Sequence, residues 1–336
     1  MRLDEFDYPL PDERIAQSPV EPRDSARLLV DRGSAAPDHR RVRDLVDLLG
    51  EGDLLVVNDT RVIPARLRLQ RDTGGAVELL LLDPLDGERR VWECLARPAK
   101  KMRAGEVLHR AGVPVVRVIG RAPAGDTMHV ELVADGDALS VLQEHGEMPL
   151  PPYITARAAP DERYQTVYAN EPASAAAPTA GLHFTPTLLD ELVAKGVRLE
   201  RVELVVGLDT FKPVSVDDPR DHEIHSERYR VPAEVLDACR DARRTVAVGT
   251  TSVRALESAV TFGALSGRTR LFIHRPYDWK VVDLMMTNFH MPRTTLLLMI
   301  DAFVGERWRR LYDEALTEGY RFLSFGDAML LDRRAG

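Results

Sequence analysis

Thr245-Val-Ala-Val-Gly-Thr-Thr-Ser-Val-Arg-Ala-Leu-Glu-Ser258 is the stretch on which the fold turns. Thr245 to Val248 are apolar or β-branched and suit a short buried strand, and Gly249 breaks it. Thr250, Thr251 or Ser252 is then placed to cap a helix that Val253, Leu256 and Val260 continue. A strand passing through glycine into a hydroxyl-rich helix start turns free backbone N–H groups and a positive helix end toward whatever lies above the sheet. A carboxylate or phosphate is welcome there. The same pattern also serves simply to cap a helix in an α/β domain, so companions elsewhere in the chain decide its meaning.

The whole chain sets limits. At 336 residues and 44% hydrophobic it has room for one large or two ordinary domains. The apolar run Leu296 to Ile300 is far short of the ~20 residues that span a bilayer, and the N-terminus lacks an apolar signal core, so a cytoplasmic, membrane-free protein is expected. Cys94 and Cys239 are too few and too far apart for a disulfide framework or a cysteine zinc site. A net charge of −8 argues against coating nucleic acid by bulk charge, while a local basic patch remains compatible with gripping a few phosphates.

Outward from the opening stretch, the chain repeats its theme. Leu54 to Val57 read as a buried strand opening into Asn58, Asp59, Thr60 and Arg61, and polar residues at the carboxyl end of a buried strand are where α/β sheets keep ligands. Val42 to Leu49 and Asp161 to Tyr168 read as helical, and Thr269 to Ile273 as a strand. Thr185 and Pro186 cap and begin a helix that Gly196 ends, which places His183 at a helix mouth beside Gly181. A run from Lys280 reads as a strand ending in Thr287, Asn288 and His290. From Ala65 to about Asp135 helical periods vanish, and six short strand-like runs (66–70, 76–82, 90–96, 106–109, 113–119, 128–133) suggest an inserted small antiparallel barrel or sandwich, with Gly74-Gly75 as a hairpin turn. Within it Arg97, Lys100, Lys101 and Arg103 form a basic loop that suits phosphate contact or plain solvation. His222 and His225 are three residues apart rather than the four that a helical His-Glu-x-x-His zinc motif needs, so no metal is expected.

Four polar tips at strand ends imply a ligand site along one sheet edge. At this point the chain resembles the S-adenosylmethionine:tRNA ribosyltransferase-isomerases of queuosine biosynthesis. The carriers are 53–67 (DLLVVNDTRVIPARL), 148–154 (MPLPPYI), 164–168 (YQTVY), 177–184 (APTAGLHF), 246–254 (VAVGTTSVR), 287–290 (TNFH), and 320–322 (YRF) with 326–329 (GDAM). The resemblance implies a discontinuous α/β main domain, 1–64 and 150–336, interrupted by a small antiparallel β-barrel domain, 65–149. It also implies transfer and isomerisation of the ribosyl part of S-adenosylmethionine onto 7-aminomethyl-7-deazaguanine at the wobble position of a tRNA. Epoxyqueuosine forms, and adenine and methionine leave. No cofactor is implied beyond S-adenosylmethionine consumed as the ribosyl donor, and the partners are that donor and the precursor-bearing tRNA, with a monomer expected.

This chemistry needs a base for the carbon beside the sulfonium and an acid for departing adenine, tasks suited to histidine. His183 is the first candidate, followed by His290 and His225. Gly249, Thr250, Thr251 and Ser252 would hold an anion with Arg254 nearby, Asp59 and Glu227 would take an amine or ribose hydroxyls, and Thr60, Arg61 and Asn288 complete the expected substrate-binding set. Arg97, Lys100, Lys101 and Arg103 would meet the tRNA. One block departs from the family pattern Leu-His-Val-Gly-x-Gly-Thr-Phe: residues 204–211 read LVVGLDTF, so Val205 replaces a histidine and Asp209 a glycine. The Pro-Gly pair before the lysine is also altered, as 275–280 (RPYDWK). Two alternatives therefore stand beside the main reading: a related transferase with a different base or amine acceptor, and a non-catalytic RNA-binding protein.

Overall fold

The structure is a computed structural model that describes residues 1–123, 125, 127–156, 160–207, 216–222, 224 and 226–335. The chain divides into two compact units, Met1–Arg61 with Pro151–Glu171 and Ala177–Gly336, and Val62–Leu150 with Pro172–Ala176.

The smaller unit is a closed antiparallel barrel. Its strands run in the order Arg66–Arg71, Ala76–Pro84, Val91–Arg97, Met128–Leu132, Val113–Arg121 and Val107–Arg110. The last returns to the first through Gln70↔His109 and Arg71↔Leu108, so no edge in this ring is left open. Alternation does the work: Leu67, Leu69, Leu79, Leu81, Trp92, Val116, Val118 and Val130 point inward and fill the interior. Gly74, at φ +79°, makes the first hairpin turn, a backbone region glycine enters without penalty. Helix Ala138–His145 is capped by Asp137, whose Oδ1 accepts from the Leu139 and Ser140 amides.

The larger unit is built on a nine-stranded mixed sheet. Its centre is four mutually parallel strands in the order Arg198–Leu204, Asp53–Asn58, Arg244–Val248, Leu284–Asn288. Asp53–Asn58 and Arg244–Val248 have no exposed residue, as expected for strands covered on both faces. Ala328–Asp332 adds antiparallel beside Leu284–Asn288, and Arg27–Val30 joins it in parallel. In sequence the chain adds Arg198–Leu204 on one side of the Asp53 strand, then Arg244–Val248 on the other. That reversal makes a crevice at the carboxyl ends of the strands, the usual ligand position of an open α/β sheet. Among the described residues no helix is long and apolar enough to cross a membrane.

Several local expectations are corrected. The opening helix runs Gly249–Phe262, and its N-cap is Val248, with no side chain capping it. Ser252 Oγ instead donates back to the Val248 carbonyl at 2.7 Å. Residues 161–168 hold only a 3₁₀ turn, Asp161–Tyr164, and Tyr164, Gln165, Thr166 and Tyr168 are buried. The Thr269–Ile273 strand lies earlier, at Ser266–Thr269, where it pairs with the Glu227–Arg230 strand. Val42–Leu49 is a 3₁₀ turn followed by one α turn, Leu45–Leu48.

Candidate functional site

The crevice holds an open pocket. Each wall is the end of an element. Val206 follows the Arg198–Leu204 strand, Gly249, Thr250 and Thr251 follow Arg244–Val248, and Thr287 to Met291 close Leu284–Asn288. Ala177–Ala180, Tyr153, Leu323 and Ser324 complete the rim. Two of the four polar tips read from the sequence therefore meet here, Gly249–Arg254 through its first three residues and Thr287–His290 throughout. Gly181–Thr185 and Asn58–Arg61 do not line the pocket. Asn58 is fully buried and ties strands together, Nδ2 donating to Leu204 O at 2.9 Å and Oδ1 accepting from the Leu204 amide at 3.2 Å. Arg61 is exposed, and neither Asp59 nor Thr60 lines the pocket.

The helix start faces this pocket. Gly249 stands at φ +83°, and a β-carbon there would meet only ordinary contacts at 3.6 Å, so backbone angle rather than space demands glycine. Without a side-chain cap, the first amides of a long helix present their partial positive charge to the cavity. Thr251 is 8% exposed and its Oγ1 has no partner.

One turn further along, Arg254 and Glu227 form a buried pair. Glu227 Oε1 accepts from the Gly207 amide at 2.8 Å, and Oε2 accepts from Arg254 Nη1. Both carboxylate oxygens are already engaged by the protein, whereas the sequence suggested Glu227 as a direct ligand of amine or hydroxyl. Arg254 Nε and Nη2 are buried and have no partner. Unmet donors on a charged group cost at least ~1–3 kcal/mol each, so this pair is not explained by stability alone.

The histidines separate. His290 lines the pocket, its Nε2 lying 2.9 Å from Thr287 Oγ1, while its carbonyl accepts from Tyr8 OH and its amide donates to Tyr312 OH at 3.0 Å. Burial pushes its pKa down to about 3, so the ring is neutral near pH 7. His183 does not line this pocket. It lies behind Asn288, whose Nδ2 donates to His183 Nε2 at 3.2 Å and whose Oδ1 accepts from Thr179 at 3.0 Å. His183 instead lines a smaller cavity of about 230 Å³ with Arg23, Arg163 and Ser324. Burial, then the charges of Arg321 and Arg23, lower its pKa to about 4. His225 and Asp209 lie outside the described residues.

Asp59 is a buried carboxylate whose Oδ1 has no partner; burial first, then Glu203, raises its pKa. Thr60 Oγ1 and Tyr168 OH are likewise buried and unpartnered. On the barrel, Arg97, Lys100, Lys101 and Arg103 are all exposed. Val205 is buried and is not a wall of the pocket. Among the described residues no group of three or more His, Cys, Asp and Glu side chains is placed to hold a metal ion. One polar residue escaped the sequence reading. Glu257, fully buried on the opening helix, accepts from the amides of Lys280, Val281 and Val282 and from Tyr277 OH, anchoring the approach to the Leu284 strand. Its Glu-in-apolar-run position was the available signal.

The sequence profile of the family described as queuosine biosynthesis protein matches residues 3–331. A curated protein of Symbiobacterium thermophilum called S-adenosylmethionine:tRNA ribosyltransferase-isomerase is 50% identical over 343 residues, covering 98% of this chain and 100% of that protein. Its namesake in Thermus thermophilus is also 50% identical, over 98% of this chain and 99% of its own length. The crystal structure of S-adenosylmethionine tRNA ribosyltransferase from Thermotoga maritima is similar at a TM-score of 0.55 and 37% identity, covering 97% of this chain and 99% of that one.

Proposed function

Since the chain belongs to the queuosine biosynthesis protein family, we propose that it is the transferase-isomerase that moves the ribosyl part of S-adenosylmethionine onto 7-aminomethyl-7-deazaguanine at a tRNA wobble position, yielding epoxyqueuosine, adenine and methionine. The observation that carries the reading is the pocket at the carboxyl ends of the parallel strands, walled by an uncapped helix start on one side and by His290 on the other.

The residues divide the work. With Nε2–H given to Thr287 Oγ1, His290 Nδ1 keeps a lone pair for the C5′ proton that the neighbouring sulfonium acidifies. The imidazolium formed there returns that proton to the departing adenine. His183, hydrogen-bonded to Asn288 and not a wall of this pocket, positions that amide rather than touching substrate. Gly249 to Ser252 with Arg254 take the anionic end of a substrate, and Asp59, Thr60 and Arg61 belong to the acceptor side. The exposed Arg97, Lys100, Lys101 and Arg103 meet tRNA phosphates. Because Val205 is not a pocket wall, its replacement of histidine gives no support to a different acceptor.

The test is adenine release from S-adenosylmethionine by the purified protein. Release that requires tRNA bearing the aminomethyl base, and that disappears in His290→Ala, is expected. Release with an unmodified tRNA or a free amine would overturn the acceptor, and no release at all would overturn the activity.

A further inference from the structure

Resting on the donor reading above, we infer that Arg254 is a carboxylate clamp: its free edge binds the α-carboxylate of the methionyl end of S-adenosylmethionine, and Glu227 holds it in position.

The guanidinium has two edges that match a carboxylate bidentately, and the Nε/Nη2 edge is one of them. In Arg254 both atoms of that edge lack a partner, while Nη1 is spent on Glu227. The side chain is 12% exposed and Glu227 5% exposed, so the pair is fixed rather than sampling solvent. Glu227 is anchored in turn by the Gly207 amide, and Gly207 follows the pocket residue Val206. Arg254 is four residues after Thr250 and three after Thr251, which places it on the same helix face as these pocket residues, one turn deeper. Thr251 Oγ1, also buried and unpartnered, stands on that face as a further donor.

The occupant must bring two oxygens of one planar or tetrahedral anion. A phosphodiester inside a polynucleotide carries two ester arms and their riboses, which a nearly closed edge does not admit. A carboxylate at the tip of a flexible four-carbon tail enters it alone. Seating that tail beneath Thr250 and Thr251 leaves the nucleoside end of the donor on the His290 side of the pocket.

Calorimetric titration with S-adenosylmethionine and with its decarboxylated analogue tests this. The wild type should bind the intact donor about 10- to 100-fold more tightly, the worth of a charge-assisted pair. Arg254→Lys, which keeps a cation beside Glu227, should lose most of that preference while its affinity for the decarboxylated analogue stays within about twofold. The double variant Arg254→Gln with Glu227→Gln, which leaves no lone buried charge, should lose it as well, and Glu227→Gln alone should reduce it. Equal loss for both ligands, or none for either, overturns the clamp. A raised KM for tRNA with unchanged donor affinity overturns it in favour of a phosphate. A wild type that binds both ligands equally overturns the clamp alone, and one that binds neither overturns the donor reading with it.

Discussion

Replacing Gly326 by alanine strikes the turn that carries Leu323 and Ser324 to the pocket rim. A β-carbon at Gly326 would stand 2.4 Å from the Arg321 carbonyl oxygen, 2.5 Å from the Phe322 carbonyl carbon and 2.6 Å from its oxygen. All three are backbone atoms, so no side chain can swing aside. Relief to ordinary contact near ~3.5 Å demands a main-chain shift of about 1 Å. A shift of that size breaks the Gly326 N–H bond to Leu323 O, at 2.9 Å, and the Asp327 N–H bond to Arg321 O, at 2.8 Å. Two lost bonds at about 1 kcal/mol each, plus roughly 1–3 kcal/mol of overpacking, give about 3–5 kcal/mol. In a unit of this size 1 kcal/mol moves Tm by roughly 2–4 °C, so a fall of about 6–20 °C is expected by calorimetry. Gly50→Ala is the control, because nothing lies within 4 Å of its β-carbon and its φ is not positive. Donor affinity should fall in Gly326→Ala and hold in the control. A Tm within about 2 °C of the wild type would refute the packing argument.

His290→Ala should abolish adenine release in a stopped assay, whereas His183→Gln, which preserves a partner for the Asn288 amide, should retain measurable turnover; the reverse order would exchange their roles. Both histidines are held neutral well below the ordinary value of 6.5, so the unfolded chain binds more protons between about pH 6.5 and 4, and stability must fall as pH drops through that window. Integrated from a half-protonated unfolded histidine at pH ~6.5, the two groups predict a loss of about 3 kcal/mol between pH 6.5 and 5 in urea titrations, and His183→Gln should remove about half of it. Arg275 holds Asp301, 1% exposed, at 2.6 and 2.8 Å, so Arg275→Met should cost roughly 2–4 kcal/mol, against less than about 1 kcal/mol for Glu131→Gln in the exposed Arg117 pair. Replacing Lys100, Lys101 and Arg103 together by alanine should raise the KM for tRNA and flatten its salt dependence by about 0.9 in log–log slope per lost phosphate contact, with donor affinity unchanged.

What the sequence made legible was what local patterning controls. All six barrel strands could be read because alternation is a property of each segment, and the parallel strands because continuous apolar runs advertise burial on both faces. The site was half legible. Polar tips marked the edge of the sheet, yet nothing local distinguishes Asn58, which sews two strands, from Asn288, which lines the pocket. His183 at a helix mouth looked better placed than His290, and only the fold puts Asn288 in front of it. Arg254 and Glu227 are 27 residues apart, so their pairing, and the edge it leaves free, is a tertiary fact. The shifted edge strand has the same cause: Ser266–Thr269 is chosen by its partner Glu227–Arg230 and by the Thr269–Ser258 hydroxyl contact, not by its own hydropathy.

A pocket whose described walls include no Lys, Arg, Asp or Glu suits the proposed donor, which is itself a cation. S-adenosylmethionine brings a sulfonium, an ammonium and a carboxylate, so a site lined with protonated histidines would repel it at the carbon where reaction starts. Here burial removes that obstacle, since His290 is neutral over the whole physiological range. Arg254, matched by Glu227, lies one helical turn beyond the Thr250 wall, where the proposed clamp meets the donor's carboxylate. In the proposed arrangement attraction is confined to the carboxylate, and no Lys, Arg, Asp or Glu side chain is among the described pocket walls. In the proposed reading tRNA contact falls to exposed cations of the barrel, remote in sequence from the pocket, so salt should screen acceptor binding while donor binding stays nearly independent of it.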